Sequence, residues 1–327
     1  MYDPAADKTT VTAYTPAANV AYAPSHRGTM PIMENIISWA PGDSAEKHTI
    51  YFGTSLADVN ASATPVIVEQ DANTYPPAMK LGQRYFWRID EVKVSAPAQT
   101  WTGDIWSFTV ADTVLIDDME SYDESTNLIH LTWKDYRDVG NPSSGVVQLG
   151  LADDSDPVHE GAQSMWFMYF NDTVVKPTYY SEGVREYPTG QTWGAGGIGA
   201  LDLWFIGDAG NSREPMYVAL DDGSNVEVQV NPDPCAVNAT DWSVFHVDLT
   251  TFSVVDVNSV KKVYVGVGIR GNTTIMGGRG TLYFDDFELF PSRCLNPPEQ
   301  DLNGDCKVDM KDYAGFSGYW LTTGVWP

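Results

Sequence analysis

Oxygen-bearing side chains recur at Asp301, Asn303, Asp305, Asp309 and Asp312, positions 1, 3, 5, 9 and 12 of a twelve-residue window. A hard cation such as Ca²⁺ is held by several oxygens at once. A short loop supplies them only by alternating inward oxygen groups with outward residues. The carbonyl of Lys307 falls at position 7 and completes the set. Val308, at position 8, is the residue expected to turn into a core beside the loop. Position 6 is Cys306, where the sharp turn favours glycine. Five ligand positions in register point to calcium as the cofactor rather than to a solvated acidic turn.

This window resembles the calcium loop of EF-hands. With the residues after it, over about 299–322, it resembles one half of a dockerin module, a calcium-loop-plus-helix repeat that anchors secreted glycan-degrading proteins. The helix expected to follow carries Tyr313, Phe316 and Trp320 at i, i+3 and i+7, one apolar stripe that must bury against something. A dockerin pairs two such repeats and a single one stands here. The expectation is a calcium-folded cap on the preceding domain, or contact with another protein module through this helix. Cys294 and Cys306 bracket the start of the loop, and a disulfide between them would tether it and account for the missing glycine; Cys235 is then left over.

The chain of 327 residues is long enough for two or three domains, and 43% hydrophobic residues suffice for their cores. A net charge of −25 repels nucleic-acid phosphates and anionic membranes, so neither is expected as a partner. No apolar run is long enough to span a bilayer, so no membrane insertion is expected. Met1-Tyr-Asp-Pro leads into polar sequence rather than an apolar leader, so the chain reads as a mature product or a fragment of a longer secreted protein, extracellular or at the cell surface.

Short alternating runs punctuated by Gly, Pro, Asn and Asp dominate up to about residue 310, the signature of an all-β architecture. Residues 1–16 read as a linker or edge strand. Residues 17–112 contain strand candidates at 36–39, 48–53, 65–69, 84–92 and 104–110, the spacing of a sandwich of about 100 residues. Leu81-Gly-Gln-Arg-Tyr85-Phe-Trp87, with Trp39 earlier and Trp106-Ser-Phe108 at the end, resembles fibronectin type III domains. The resemblance implies a tyrosine corner, core tryptophans and a spacer role.

Residues 113–291 form a larger unit with runs at 146–151, 163–170, 200–206, 216–220, 226–230, 243–248 and 260–269, which suits a jelly-roll sandwich. Similar acidic strands open and close it: Leu115-Ile-Asp-Asp-Met-Glu120 and Leu282-Tyr-Phe-Asp-Asp-Phe-Glu-Leu289. With Trp133 and Gly161-Ala-Gln-Ser-Met165, they resemble galactose-binding-like jelly rolls that serve as carbohydrate-binding modules. That resemblance implies first and last strands side by side and a structural calcium held by Glu120 and Asp285, with Asp286 or Asp118 as substitutes. Residues 292–327 are the dockerin-like repeat.

Aromatics are abundant, 11 Trp and 17 Tyr, and sugars stack their C–H faces on such rings. In Ala200-Leu-Asp-Leu-Trp-Phe-Ile206, Leu201, Leu203 and Phe205 share one face, which leaves Trp204 beside Asp202 on the other; Trp166 is likewise opposite Met165 and Phe167. The polar, aromatic, Gly-rich stretch from Tyr179 to Trp193 reads as an exposed loop, so Tyr180, Arg185 and Trp193 join Trp204 and Trp166 as candidates for a binding platform. Carboxylate pairs for glycoside hydrolysis arise by chance among 44 acidic residues, and the five histidines fall in no zinc spacing. The chain therefore reads as a non-catalytic, calcium-stabilised carbohydrate-binding and anchoring protein whose partner is a polysaccharide or cell-surface glycan. The alternatives are a structural or adhesive surface protein and, behind it, a glycoside hydrolase or lyase.

Overall fold

The computed structural model describes residues 28–32, 36–42, 44–61, 64–135, 148–152, 155–172, 178–292, 300 and 308–314. The chain divides into two compact units, residues 1–114 and 115–327, and almost all regular structure in both is β.

The first unit runs β1 (Gly28–Met30), β2 (Ile37–Ser38), β3 (Lys47–Gly53), α1 (Leu56–Ala61), β4 (Ile67–Gln70), β5 (Thr74–Tyr75), β6 (Arg84–Lys93), β7 (Gln99–Trp101) and β8 (Trp106–Val110). Its main sheet has the order β1-β8-β6-β3-β4, with β7 added to β6; β2 and β5 pair separately. Alternation along these strands drives Ile50, Trp87, Ile89 and Phe108 into the core together with Trp39. The Tyr85 hydroxyl accepts the Lys80 amide at 3.0 Å, the geometry of a tyrosine corner. The short helix α1 is absent from the sequence expectation. Its last carbonyls, Val59 and Asn60, accept from the buried Arg88 at 2.8 and 3.2 Å, and Arg88 in turn pairs with Asp90. A helix of one and a half turns lives on such a tertiary cap, which periodicity does not reveal.

The second unit runs β9 (Val114–Asp117), α2 (Ile129–Thr132), β10 (Trp133–Asp135), β11 (Gln148–Leu151), β12 (Met165–Phe170), β13 (Tyr180–Gln191), β14 (Ile198–Ile206), β15 (Met216–Asp221), β16 (Val226–Val230), β17 (Ser243–Asp248), β18 (Val260–Gly268) and β19 (Arg279–Pro291). Two antiparallel sheets face each other. One has the order β10-β13-β18-β15-β16 and the other β11-β12-β19-β14-β17, with β9 on β19, so the first strand of the unit lies beside the last. Between them pack Phe167, Leu201, Leu203, Phe205, Phe284 and Leu289 from one sheet and Val218, Leu220, Val263 and Val265 from the other, all buried.

The stretch expected to be an exposed loop is strand β13, the longest neighbour of β18. Gly183 is what disguised it. A Cβ there would press on Leu149 at 3.1 Å and Phe167 at 3.6 Å across the sandwich, so the strand needs glycine where it crosses the facing sheet.

The closure of the unit hangs on Asp117 at the end of β9. Its buried carboxylate accepts from the Tyr122 hydroxyl at 2.6 Å, the Trp133 indole at 2.9 Å and the Arg185 guanidinium, while Arg185 also donates to the Ile116 carbonyl at 2.8 Å. Asp117→Ala leaves a cation and two donors without their acceptor. We expect a loss of about 3–5 kcal/mol, the usual cost of breaking a buried ion pair, read as a lowered urea midpoint of the second unit.

Candidate functional site

The three central strands of the five-stranded sheet set the site by register. Gly183 faces the inter-sheet core, so its neighbours Glu182 and Val184 lie on the outer face. Across β13, β18 and β15 the outer face then reads Glu182, Gly266, Tyr217 in one row, Val184, Tyr264, Ala219 in the next, and Glu186, Lys262, Asp221 in a third.

Gly266 is the key to the first row. A Cβ at 266 would overlap the Tyr217 ring, and without one the ring lies across the backbone and its hydroxyl reaches Glu182 Oε1 at 2.8 Å. Arg270, just beyond β18, donates through Nε to the same oxygen at 2.6 Å and rests its guanidinium over the Tyr264 ring, 4.7 Å from the centroid. Tyr264 donates to Asp221 at 3.2 Å. In the third row Glu186 bridges Lys262 at 3.0 Å and Lys134 at 3.1 Å.

Glu182 is 0% exposed, and its other oxygen, Oε2, has no hydrogen-bond partner. Burial pushes its carboxyl upward against the opposing pull of Arg270 and Tyr217. Burial, followed by the neighbouring Glu182, also lifts the Tyr217 hydroxyl well above the usual phenol range. Glu186, by contrast, is held below the usual carboxylate range by its bonds to Lys262 and Lys134. The face thus joins fixed aromatic rings, paired charges and one acceptor in want of a donor.

Of the residues proposed from sequence, Tyr180 lies on this face, opposite Gly268, but is buried. Arg185 lies on the interior side and is consumed by Asp117 and Ile116. Trp193 is 1% exposed, edge-on to Tyr187 with ring centres 6.2 Å apart, and its amide donates to Val257 at 2.8 Å. A ring so enclosed presents no face to a sugar, and the expectation of a platform there is corrected. Trp204 and Trp166 sit half-buried on the outer face of the other sheet. His159 stacks on Trp204 at 3.9 Å, and Trp166 stands in register with Tyr283, whose hydroxyl donates to Asp156. Tyr264, Arg270 and Lys262 were not singled out from sequence; the alternation of residues 260–268 was the available signal.

Glu120 and Asp285 bind the two ends of one turn. Glu120 Oε1 accepts the amides of Ala162 and Gln163, both at 2.8 Å, and Asp285 accepts those of His159 at 3.0 Å and Asp286 at 2.9 Å. Asp285 is fully buried; burial above all, with the Asp286 charge behind it, raises its carboxyl to about 7. Among the described residues no group of three or more His, Cys, Asp and Glu side chains is arranged to hold a metal ion. Asp118 lies beside Glu120 and accepts its amide. Asp301, Asn303, Asp305, Lys307, Cys294 and Cys306 lie outside the described residues, as do Phe316 and Trp320. At the described end of the loop, Asp312 accepts the Asp309 amide at 2.7 Å, and Asp309 accepts that of Lys311 at 2.7 Å. Val308 and Tyr313, expected to be buried, are 57% and 61% exposed; the described turn of helix lays no apolar stripe on a core.

No family model matches the sequence, and no curated protein matches it. Among solved structures, the chain is similar to a family 11 carbohydrate-binding module of a cellulosomal cellulase of Clostridium thermocellum, at 12% identity over 55% of this chain and 95% of that one, with a TM-score of 0.36. It is also similar to the C-terminal family 22 carbohydrate-binding module of Clostridium thermocellum Xyn10B, at 11% identity over 54% of this chain and 91% of that one, with a TM-score of 0.31. An exo-β-agarase matches at 12% over 58% of this chain and 26% of its own length, TM-score 0.39.

Two measurements follow from this geometry. Gly266→Ala forces the Tyr217 ring off the sheet, and we expect about 1–3 kcal/mol of destabilisation by urea, the range for overpacking a filled site. In calcium-free buffer the native second unit holds the Asp285 proton more tightly than the unfolded chain does. Its contribution to stability is therefore full below pH ~4 and is lost as the pH rises through about 7. Asp285→Asn should shrink that slope in a pH series of melting temperatures.

Proposed function

We propose that the second unit binds carbohydrate without transforming it, through the outer face of β13, β18 and β15. The observation that supports this reading most directly is Glu182 Oε2, a buried carboxylate oxygen without a donor, whose sister oxygen accepts from Tyr217 and Arg270. A buried acceptor left unmatched is costly, and a sugar hydroxyl is a donor of the right chemistry. Arg270 stands on the turn between β18 and β19, so its guanidinium can turn aside without disturbing a strand. Tyr264 is 1% exposed beneath that guanidinium, so the same movement would uncover its ring and the apolar surface that sugar C–H faces prefer. The carboxylates of the face are each tied to a cation or a tyrosine, which favours recognition over acid–base chemistry.

In this reading the first unit is a spacer of fibronectin type III kind, and the C-terminal repeat is a calcium-dependent anchor in an extracellular protein. Asp309 and Asp312 would contribute to the calcium loop with Asp301, Asn303, Asp305 and the Lys307 carbonyl. The ion would supply folding energy there, since ligands held only by the native state stabilise it by mass action.

Affinity electrophoresis against a panel of soluble polysaccharides tests the binding. We expect retardation by at least one, with Tyr264→Ala weakening it about tenfold or more, in line with the loss of one aromatic anchor. Unchanged mobility in every gel would sink the reading. For calcium, EGTA should lower the melting temperature by several degrees, a shift of a few kcal/mol. An identical melting curve with and without chelator would remove calcium from the account.

A further inference from the structure

We infer that the edge strand β16 is the seam of a homodimer, in which two copies of the chain pair β16 with β16, antiparallel and centred on Val228. Among the described residues no strand pairs with the outer side of β16, so its amides and carbonyls there are open to a further strand. The other ends of the two sheets carry guards against such pairing. β10 has three residues and carries Lys134, β11 has four and contains Gly150, and β17 sets His246 and Asp248 on its outer face. β16 reads Val-Glu-Val-Gln-Val and contains no Lys, Pro or Gly. Its register with β15 divides the five residues between the faces. Glu227 and Gln229 lie opposite the core residues Leu220 and Val218 and are used within the fold. Glu227 accepts the amides of Ser253, Val254 and Val255 at 2.9, 2.8 and 3.2 Å, and Gln229 donates to the Thr251 hydroxyl at 2.8 Å. Val226, Val228 and Val230 lie on the outer face, where Val226 is 42% and Val230 54% exposed. The acid of the strand is held by its own chain, and what the edge shows is apolar.

The order of the residues selects a second copy as the occupant. The strand is nearly symmetric about Val228. Antiparallel pairing at that centre sets Val226 on the partner's Val230, Val228 on the partner's Val228, and Glu227 on the partner's Gln229. The exposed valines then cover one another, and no like charges meet. Sliding the pair by two residues brings Glu227 onto the partner's Glu227, and like charges directly opposite are destabilising. Five paired residues make a seam about 17 Å long, which buries less than the ~1,200 Å² of a stable interface. The net charge of −25 on each copy also opposes contact. The association is therefore weak, and salt strengthens it by screening that repulsion. The two-fold axis stands normal to the joined sheet, so both copies present their outer faces to the same side. On the carbohydrate-binding reading, two sites would then meet one polysaccharide together. The dimer itself does not depend on that reading.

The test is sedimentation velocity of the full chain from about 10 µM to about 1 mM, in roughly 50 and 500 mM NaCl. We expect a concentration-dependent shift from monomer toward dimer, larger at the higher salt. Val230→Lys should weaken the association about tenfold or more, and so should Val226→Glu, since each sets a charge against a valine of the partner. Both positions are exposed, so the urea midpoints of these variants should stay close to that of the unaltered chain. Combining the two substitutions sets an ammonium opposite a carboxylate at both ends of the seam and should restore the dimer, which only this register does. A chain that stays monomeric at the highest concentration and salt overturns the inference. A dimer indifferent to Val230→Lys, or one that the double substitution fails to restore, overturns it as well.

Discussion

A carboxylate with no exposed surface on the outer side of a sheet has to be neutralised by what the sheet itself places beside it. Glu182 is that carboxylate, and much of the second unit is arranged to permit it. Its row-mate Gly266 gives up a side chain so that Tyr217 can cross to it, and Arg270 folds back from the turn after β18 to reach the same oxygen. Tyr264 carries the guanidinium on its ring and passes a hydrogen bond on to Asp221. None of these contacts survives a one-residue slip, because alternation would exchange the outer face for the core. The register of three strands and the chemistry of the face are one constraint.

The interior side of β13 meets a different demand with the same means. Arg185, three residues beyond Glu182, lies on the core side and would be an unpaired interior cation without Asp117. Asp117 comes from β9, at the opening of the unit, and also gathers Tyr122 and Trp133. One long strand therefore carries a buried anion outward and a guanidinium inward. Each is answered by a residue from a distant part of the chain. Such pairings add specificity more surely than stability, because a competing register would leave both charges alone.

How much of this the sequence discloses depends on the range over which each feature is decided. Alternation is local, and the runs at 200–206, 216–220, 243–248 and 260–269 mark strands β14, β15, β17 and β18 where the structure has them. The outward side of Trp204 follows from the same two-residue period, since Leu201, Leu203 and Phe205 are all core. The site is not local. Glu182, Tyr217 and Asp221 are visible as residue types, but their row is made by pairing β13 with β18 and β18 with β15, strands far apart in sequence. The stretch 179–193 failed for a related reason. Its glycines and tyrosines suit an exposed loop and also suit a strand that needs room on one face and polar groups on the other. Trp193 then closes against the 256–259 turn rather than opening to solvent.

The two outer faces of the sandwich show why aromatic content does not by itself locate a binding site. The face of the six-stranded sheet holds Trp166, Trp204 and Tyr283, the more conspicuous set. Yet the turn at 156–160 lies over it, with His159 stacked on Trp204 and edge-on to Trp242, and Asp156 bonded to Tyr283. Those rings are answered within the fold, and their polar neighbours, such as Asp202 with His246 at 2.8 Å, are paired as well. The opposite face has three rings of its own, Tyr180, Tyr217 and Tyr264, but leaves an acceptor unmatched at Glu182. A fold that satisfies its own groups has no need of a ligand at that place, whereas an unmatched buried oxygen leaves a cost that a donor from outside could offset.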